Sequence, residues 1–254
     1  MKRLALLFFI FIVLCVLFLR YDACAFFNFP PLPPPEQYGN ILINRTSEKH
    51  NTKPVTFSHW SHRIHYTCRV CHLELEFNMQ LNTTEITEEA NISGKFCGAC
   101  HNDRTAFGHG KEHCDKCHNG DISYGREKFI KLKDFPSTKF GNRIDWVTAI
   151  QSGLIKPKDF ISTPFTGMSF DKTLELGAEN FLIPPAVFPH PVHVQWLDCS
   201  NCHPDLFNIK KKGTIRFSMA RCLRGEFCGM CHLRTSFPLN DCRRCHPGMS
   251  EDVR

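Results

Sequence analysis

Beyond residue 19 the 254-residue chain has no long hydrophobic run, and the two stretches richest in cysteine, residues 55–120 and 187–248, have no sustained apolar periodicity. Stretches of about sixty residues with that pattern are too small for an ordinary side-chain core. Charge of one sign is also scarce. Lys and Arg number 31 against 25 Asp and Glu, a formal +6, and this balance is poor evidence for a nucleic-acid partner. A thioredoxin-like redox protein is excluded because no single Cys-x-x-Cys stands beside a βαβ pattern.

What the chain does have is cysteine, 15 in all, with 14 histidines. Twelve of the cysteines form six Cys-x-x-Cys pairs: Cys68 and Cys71, Cys97 and Cys100, Cys114 and Cys117, Cys199 and Cys202, Cys228 and Cys231, Cys242 and Cys245. Histidine follows every pair, as His72, His101, His118, His203, His232 and His246. Structural zinc needs four Cys or His ligands but not a His directly after each second Cys. A disulfide scaffold explains none of the histidines. Covalent haem attachment explains both: two thiols add to the two vinyl groups of one porphyrin, and the next imidazole turns onto the iron. In a helical turn residues three and four apart share a face, so each motif is expected to form one. The pattern therefore predicts six covalently bound haems c, with these six histidines as proximal ligands.

The chain opens with Lys2 and Arg3, an unbroken apolar run from Leu4 to Leu19, and small residues at Ala23-Cys24-Ala25. This reads as a signal peptide, residues 1–25, cut after Ala25. As an uncleaved anchor the run is short of the about twenty residues a span needs. Export fits the cofactor, and the expected location is the periplasm, with the outer membrane surface or extracellular space as alternatives. Residues 26–54, with "FPPLPPPE", read as a proline-rich tail or spacer. Loss of Lys2, Arg3, Arg20 and Asp22 takes the charge from +6 to +4. Each ferric haem with ionised propionates then adds about −1, so the many Lys and Arg are expected to offset propionates.

An internal repeat is visible. "FSHWSHRIHYTCRVCH" from Phe57 returns as "FPHPVHVQWLDCSNCH" from Phe188, an offset of 131. The same offset carries Gly94, Phe96 and Cys97 onto Gly225, Phe227 and Cys228, after which the register slips. Two triheme modules, 55–120 and 187–248, flank a connector, 121–186. These modules resemble the cytochrome c7 type within the class III multihaem cytochromes c, in the version found in tandem arrays in metal-reducing bacteria. The resemblance implies a small fold of few short helices and much coil wrapped round haems. It implies an electron carrier rather than an enzyme, working between other cytochromes or redox proteins in anaerobic respiration to a metal or extracellular acceptor. It also implies distal ligands from Phe-x-His-x-x-His: His59 and His62 in module one, His190 and His193 in module two.

The remaining histidines are His50, His65, His109 and His113. They do not supply a third distal His to module two, for which Met219 is the candidate. Met is soft enough to ligate iron or to fill a gap against a porphyrin edge. In module one the candidates are His109 and Met79, and the residue aligned with Met219 is Glu88. His50, His65 and His113 are expected at the surface, and Cys222, outside every motif, in buried packing. A multihaem reductase with one open iron is the rival function, and a structural or filament scaffold a third. No motif ends in Cys-Lys, and no cluster of Arg, Tyr and His surrounds one motif, both of which count against the reductase. In the connector "GNRIDWVTAIQSGLIKPK" predicts one helix capped by Asn142, with an apolar stripe of Ile144, Val147, Ile150 and Leu154, ending at Gly153 and Pro157. Trp146 is expected either on a haem or in ordinary packing between modules.

Overall fold

The computed structural model describes residues 29–167, 169–207 and 218–250. The expected signal peptide lies outside them. Regular structure is sparse and short, as stretches that fold round a large prosthetic group require. Each module opens on a two-stranded antiparallel ribbon: β1 (Asn40–Ile43) with β2 (Val55–Ser58), and β3 (Thr173–Leu176) with β4 (Ala186–Pro189). Val, Ile, Leu, Thr and Phe supply most of the strand residues, side chains that suit a pleated surface. The registers correspond, since Asn40 faces Ser58 and Thr173 faces Pro189, and residues 58 and 189 are repeat mates. Residues 40–43 thus leave the expected tail and join module one. Their apolar alternation needs β2 as a partner, and the prolines at 30–35 end before it begins.

Each ribbon runs directly into a one-turn helix that carries the two paired histidines, α1 (His59–His62) after β2 and α2 (His190–His193) after β4. Residues three apart share a helix face, so both imidazoles leave on one side. The leading phenylalanine buttresses them. Phe57 stacks on His62 at 4.3 Å and meets His59 edge-on at 4.9 Å. Phe188 repeats this with His193 at 4.3 Å and His190 at 4.8 Å.

A second repeated unit precedes the second motif of each module. Helix α3 (Glu88–Ile92) is capped by Thr87, whose hydroxyl accepts from Ala90 N–H at 3.2 Å. Helix α4 (Met219–Leu223) is capped by Ser218, accepting from Arg221 N–H at 3.3 Å. Both end on a left-handed glycine, Gly94 at φ 82° and Gly225 at φ 85°, which only glycine adopts without strain. Phe96 and Phe227 follow at φ 47° and 51°. A Cβ on Gly98 would overlap Asn91 O, and one on Gly229 would overlap Cys222 O. Both glycines of the spelling Gly-x-Phe-Cys-Gly are therefore backbone requirements in each copy.

The side-chain core lies in the connector. Ile144, Trp146, Ala149 and Ile155 are buried with Trp60 of α1, and Ile64, Phe129, Leu132, Phe135 and Trp196 pack round them. The connector helix is shorter than expected, α5 (Trp146–Gln151), and Asp145 caps it by accepting from Thr148 N–H at 3.1 Å. Arg143 at φ 61° cannot be helical, so the helix starts after it. Asn142 instead accepts from Ile144 N–H at 3.2 Å and Trp146 Nε1–H at 3.3 Å. Gly153 at φ 73° then turns Leu154 outward, 51% exposed, and Ile155 inward. Trp146 sits in this core, edge-on to Phe135 at 5.9 Å.

Candidate haem sites

Ten histidines share one device. Each places Nδ1 within hydrogen-bond distance of a main-chain carbonyl, which can only accept, so Nδ1 carries the proton and Nε2 keeps its lone pair for a metal. They are the six histidines of the motifs and the four of the Phe-x-His-x-x-His segments. His72, His101 and His232 donate to Phe77 O, Phe107 O and Phe237 O, each at 2.9 Å. His203 donates to Phe207 O at 2.6 Å. His118 uses Lys53 O at 3.0 Å and His246 uses Pro184 O at 2.7 Å. Residues 53 and 184 are again 131 apart. Among the helix histidines, His59 donates to Gly39 O at 3.0 Å and His190 to Lys172 O at 2.9 Å, the residues just before β1 and β3. His62 donates to Ser58 O at 2.8 Å and His193 to Pro189 O at 2.9 Å.

Three pairs of these rings face one another across a gap. His59 and His72 have centroids 6.5 Å apart and nearly parallel planes, 8°. His62 and His101 stand at 6.3 Å, and so do His193 and His232. Direct packing brings rings closer, as the Phe57–His62 stack shows. A metal bonded to two imidazoles from opposite sides, at about 2 Å from each nitrogen, holds the centroids about 6 Å apart. The pairs therefore fit an iron with two axial imidazoles. Among the described residues no three His, Cys, Asp or Glu side chains gather as a structural zinc requires.

Electrostatics agree with ligand duty. Burial first, and then the neighbouring His72, push His59 down to about 3. Burial takes His62 and His232 down to about 4, and lowers His72, His101 and His193. These imidazoles are neutral with a free lone pair near pH 7. Burial also raises the motif thiols, Cys71 and Cys231 to about 12 and Cys97 and Cys245 to about 11, and lifts Cys68, Cys117 and Cys202 as well. Without haem, these sulfurs are protonated thiols near pH 7. Cys114 and Cys199 open their motifs at the surface. None of the described cysteines is bonded to another.

Cys100 departs from the expected motif in two ways. The turn of its motif is tight and covers only Phe96–Ala99, so Cys100 falls just past its end, at φ −114° and ψ −35°. Its repeat mate Cys231 lies inside a helical turn, Gly229–His232. Cys100 O accepts from both Asn102 N–H and Ala106 N–H at 3.0 Å, as Cys231 O accepts from Thr235 and Ser236 N–H at 3.0 Å, so both chains turn away after the motif. Cys100 also has a partner that the sequence does not announce. It is half-buried and hydrogen-bonds with the Tyr66 hydroxyl, and burial followed by this bond raises that hydroxyl to about 12. A hydroxyl kept protonated can donate to sulfur, which stays a weak acceptor as a thioether. Tyr66 is therefore a neighbour of this motif that the sequence pattern does not announce.

A cavity of about 810 Å³ includes His59, His72, Cys71 and Cys97 in its lining. Met79 lies in its wall, and the imidazoles that face one another there are already His59 and His72. His109 shares a second concavity, of about 500 Å³, with His101, which faces His62. His50 and His65 are exposed as expected. His113 is not: it is half-buried, edge-on to Phe107 at 5.4 Å, with Nδ1 enclosed and unpartnered. Phe107 is held inward by its anchoring carbonyl and brings His113 with it. Cys222 is buried, 4% exposed, and without haem a hydrogen bond with Cys228 lowers its thiol. The carbonyl anchors are what sequence reasoning missed. Their one visible signal is the phenylalanine four to six residues after each of the first two motifs of a module.

Paired, carbonyl-anchored imidazoles beside Cys-x-x-Cys-His turns on a nearly coreless frame define a multihaem c-type cytochrome, which binds haem covalently and transfers electrons. The chain belongs to the family of cytochrome c7 and related cytochrome c, which matches residues 55–119 and 186–247, half of its length. Its fold is accordingly the small, mostly coil type of tandem c7 modules. Among solved structures, the C-terminal hexaheme fragment of GSU1996 is 24% identical over 86% of this chain and 99% of that one, with a TM-score of 0.28. A c7-type three-heme cytochrome domain is 36% identical over 32% of this chain and 100% of its own, with a TM-score of 0.28. The N-terminal hexaheme fragment of GSU1996 is 25% identical over 83% and 99%, with a TM-score of 0.26. No curated protein matches the chain significantly.

Proposed function

We propose that the chain is a hexahaem electron carrier between redox partners in anaerobic respiration, exported and serving a metal or other extracellular acceptor. The observation that carries this is the set of imidazole pairs 6.3–6.5 Å apart, every ring anchored through Nδ1. In this reading the twelve motif cysteines hold six haems and the six following histidines are proximal. His59, His62, His190 and His193 are distal, opposite the first and second motifs of their modules. Bound haem supplies an iron that takes up and releases one electron. The chain's part is to keep each ligand ring in one place in both oxidation states, so that little reorganisation accompanies transfer, and to exclude water from the slots.

The third distal ligand of module two is assigned to Met219. It opens α4, and Cys222 on that helix lies near Cys245 of the sixth motif. In module one α3 carries exposed Glu88 at that place, and His109 and Met79 are the candidates. Docking by other cytochromes at haem edges is the mode of exchange. A pyridine haemochrome assay with intact mass tests the count: six covalent haems are expected, and a colourless chain would end this reading. Carbon monoxide titration of the reduced protein separates carrier from reductase, because stoichiometric binding at one iron would reveal an open site.

A further inference from the structure

The first motif of module one is gripped by module two along its length. Arg69 N–H donates to Trp196 O at 3.0 Å, and its Nε faces Asp198 at 3.9 Å. Asn201, inside the fourth motif, donates to His72 O at 3.2 Å. Between them Val70 is 1% exposed. The cavity that holds the His59–His72 gap also takes Phe227, Met230 and Cys231, all from module two, into its lining.

Arg63 fixes that wall. It leaves the C-terminal end of α1 and donates Nη2–H to Thr235 O at 2.9 Å, while the Tyr38 hydroxyl donates to the next carbonyl, Ser236 O, at 2.7 Å. Its guanidinium lies over the rings of Trp146 at 5.1 Å and Trp196 at 5.6 Å, with Nε enclosed and unpartnered. Cys68 of module one and Cys231 of module two both lie close to it. A planar guanidinium held between two indoles has little freedom, which suits it to set the separation of two bodies.

We propose, on the haem reading above, that the first haem site of module one is composite. Module two supplies one wall through Phe227, Met230 and Cys231, and Arg63 is the positioning residue that holds it. The modules are then one redox unit joined where the first motif of one meets the first and second motifs of the other, not two beads on a connector. The fixed charge of Arg63 lies at that junction. A cation there disfavours the ferric state and raises the potential of the haems on both sides.

The experiment uses the full haem-loaded chain. Intact mass comes first, and absence of covalent haem would overturn the haem reading itself. On the six-haem protein, NMR of the reduced state should show nuclear Overhauser contacts from the Met230 methyl and Phe227 ring to the haem bound at Cys68 and Cys71. Contacts from these side chains confined to the haem of their own motif would overturn the composite site and leave the haem reading standing. Arg63→Gln, which keeps a donor for Thr235 O, should lower the potentials of the haem at Cys68 and Cys71 and the haem at Cys228 and Cys231, and leave the other four in place. No shift, or one spread evenly over six haems, would overturn the role of Arg63.

Discussion

Gly98 and Gly229 give the sharpest test of the module architecture. Each lies between the two cysteines of a second motif, where a methyl group would overlap a main-chain carbonyl oxygen, Asn91 O or Cys222 O. No side-chain rotation relieves that overlap, because the obstructing atom is backbone. Either α3 or α4 must lift from the motif, or the motif must shift from its haem. Overpacking of this kind costs about 1–3 kcal/mol. Restricting the unfolded chain returns about 0.4–1 kcal/mol. The net is about 1–2 kcal/mol, which for a chain of this size lowers Tm by about 2–8 °C. Gly177 is the internal control, since nothing lies within 4 Å of a Cβ there and its φ is not in the left-handed region. Thermal melts of haem-loaded Gly98→Ala, Gly229→Ala and Gly177→Ala, followed at the haem absorbance, should separate the first two from the third. Melting of all three with the wild type would refute the close approach, as would an equal fall for Gly177→Ala.

Met219→Ala should turn one haem high-spin or lower its potential, and an unchanged redox titration with an unchanged absorption spectrum would remove the ligand assignment. Thr87→Ala and Ser218→Ala each remove a helix cap and should cost about 1 kcal/mol in chemical denaturation; no change would mean that packing alone holds α3 and α4. Burial raises the Glu74 carboxyl, but donors from Ser162, Ile161 and Thr163 outweigh it and hold the group below the usual carboxylate range. Its folded value is the lower one, so its contribution is full above that range and disappears as pH falls through the folded value. The stability difference between wild type and Glu74→Gln should be about 1–3 kcal/mol near pH 7 and vanish in acid, and a pH-independent difference would refute the linkage.

The covalent chemistry was legible because it is spelled in side chains that sit together in sequence. Cys-x-x-Cys-His states two thiols and an imidazole at fixed spacing, and Phe-x-His-x-x-His puts two imidazoles on one helix face. The local backbone was less legible, as Cys100 shows: one spelling gives a turn that stops short of its second cysteine in one module and includes it in the other. The first strand was hidden because four residues, Asn40–Ile43, reveal a ribbon only beside Val55–Ser58, and the prolines before them suggested an extended tail. The cap of the connector helix was misread because Asn142 and Asp145 are both good caps. The choice between them follows from the left-handed turn at Arg143, which composition does not announce. The third distal ligands stay hardest to read, since they are set by which distant segment reaches an iron rather than by local spacing.

Met219 and Glu88 aside, what the two copies keep and what they change can be read from which atoms each position uses. They keep residues where a side chain or a special φ is used: the motif cysteines and histidines, the phenylalanine against two imidazoles, Gly94 and Gly225, Gly98 and Gly229. They change residues at two places where the carbonyl is what anchors a histidine. Ser58 O becomes Pro189 O beneath the second helix histidine, and Lys53 O becomes Pro184 O beneath the third motif histidine. Proline has lost its N–H but keeps its carbonyl, so it serves as acceptor as well as any residue. Pro184→Ala should therefore leave the spectrum and potential of the haem at Cys242 and Cys245 unchanged. A shifted potential for that haem would mean that the proline ring, and not the carbonyl it carries, orients His246.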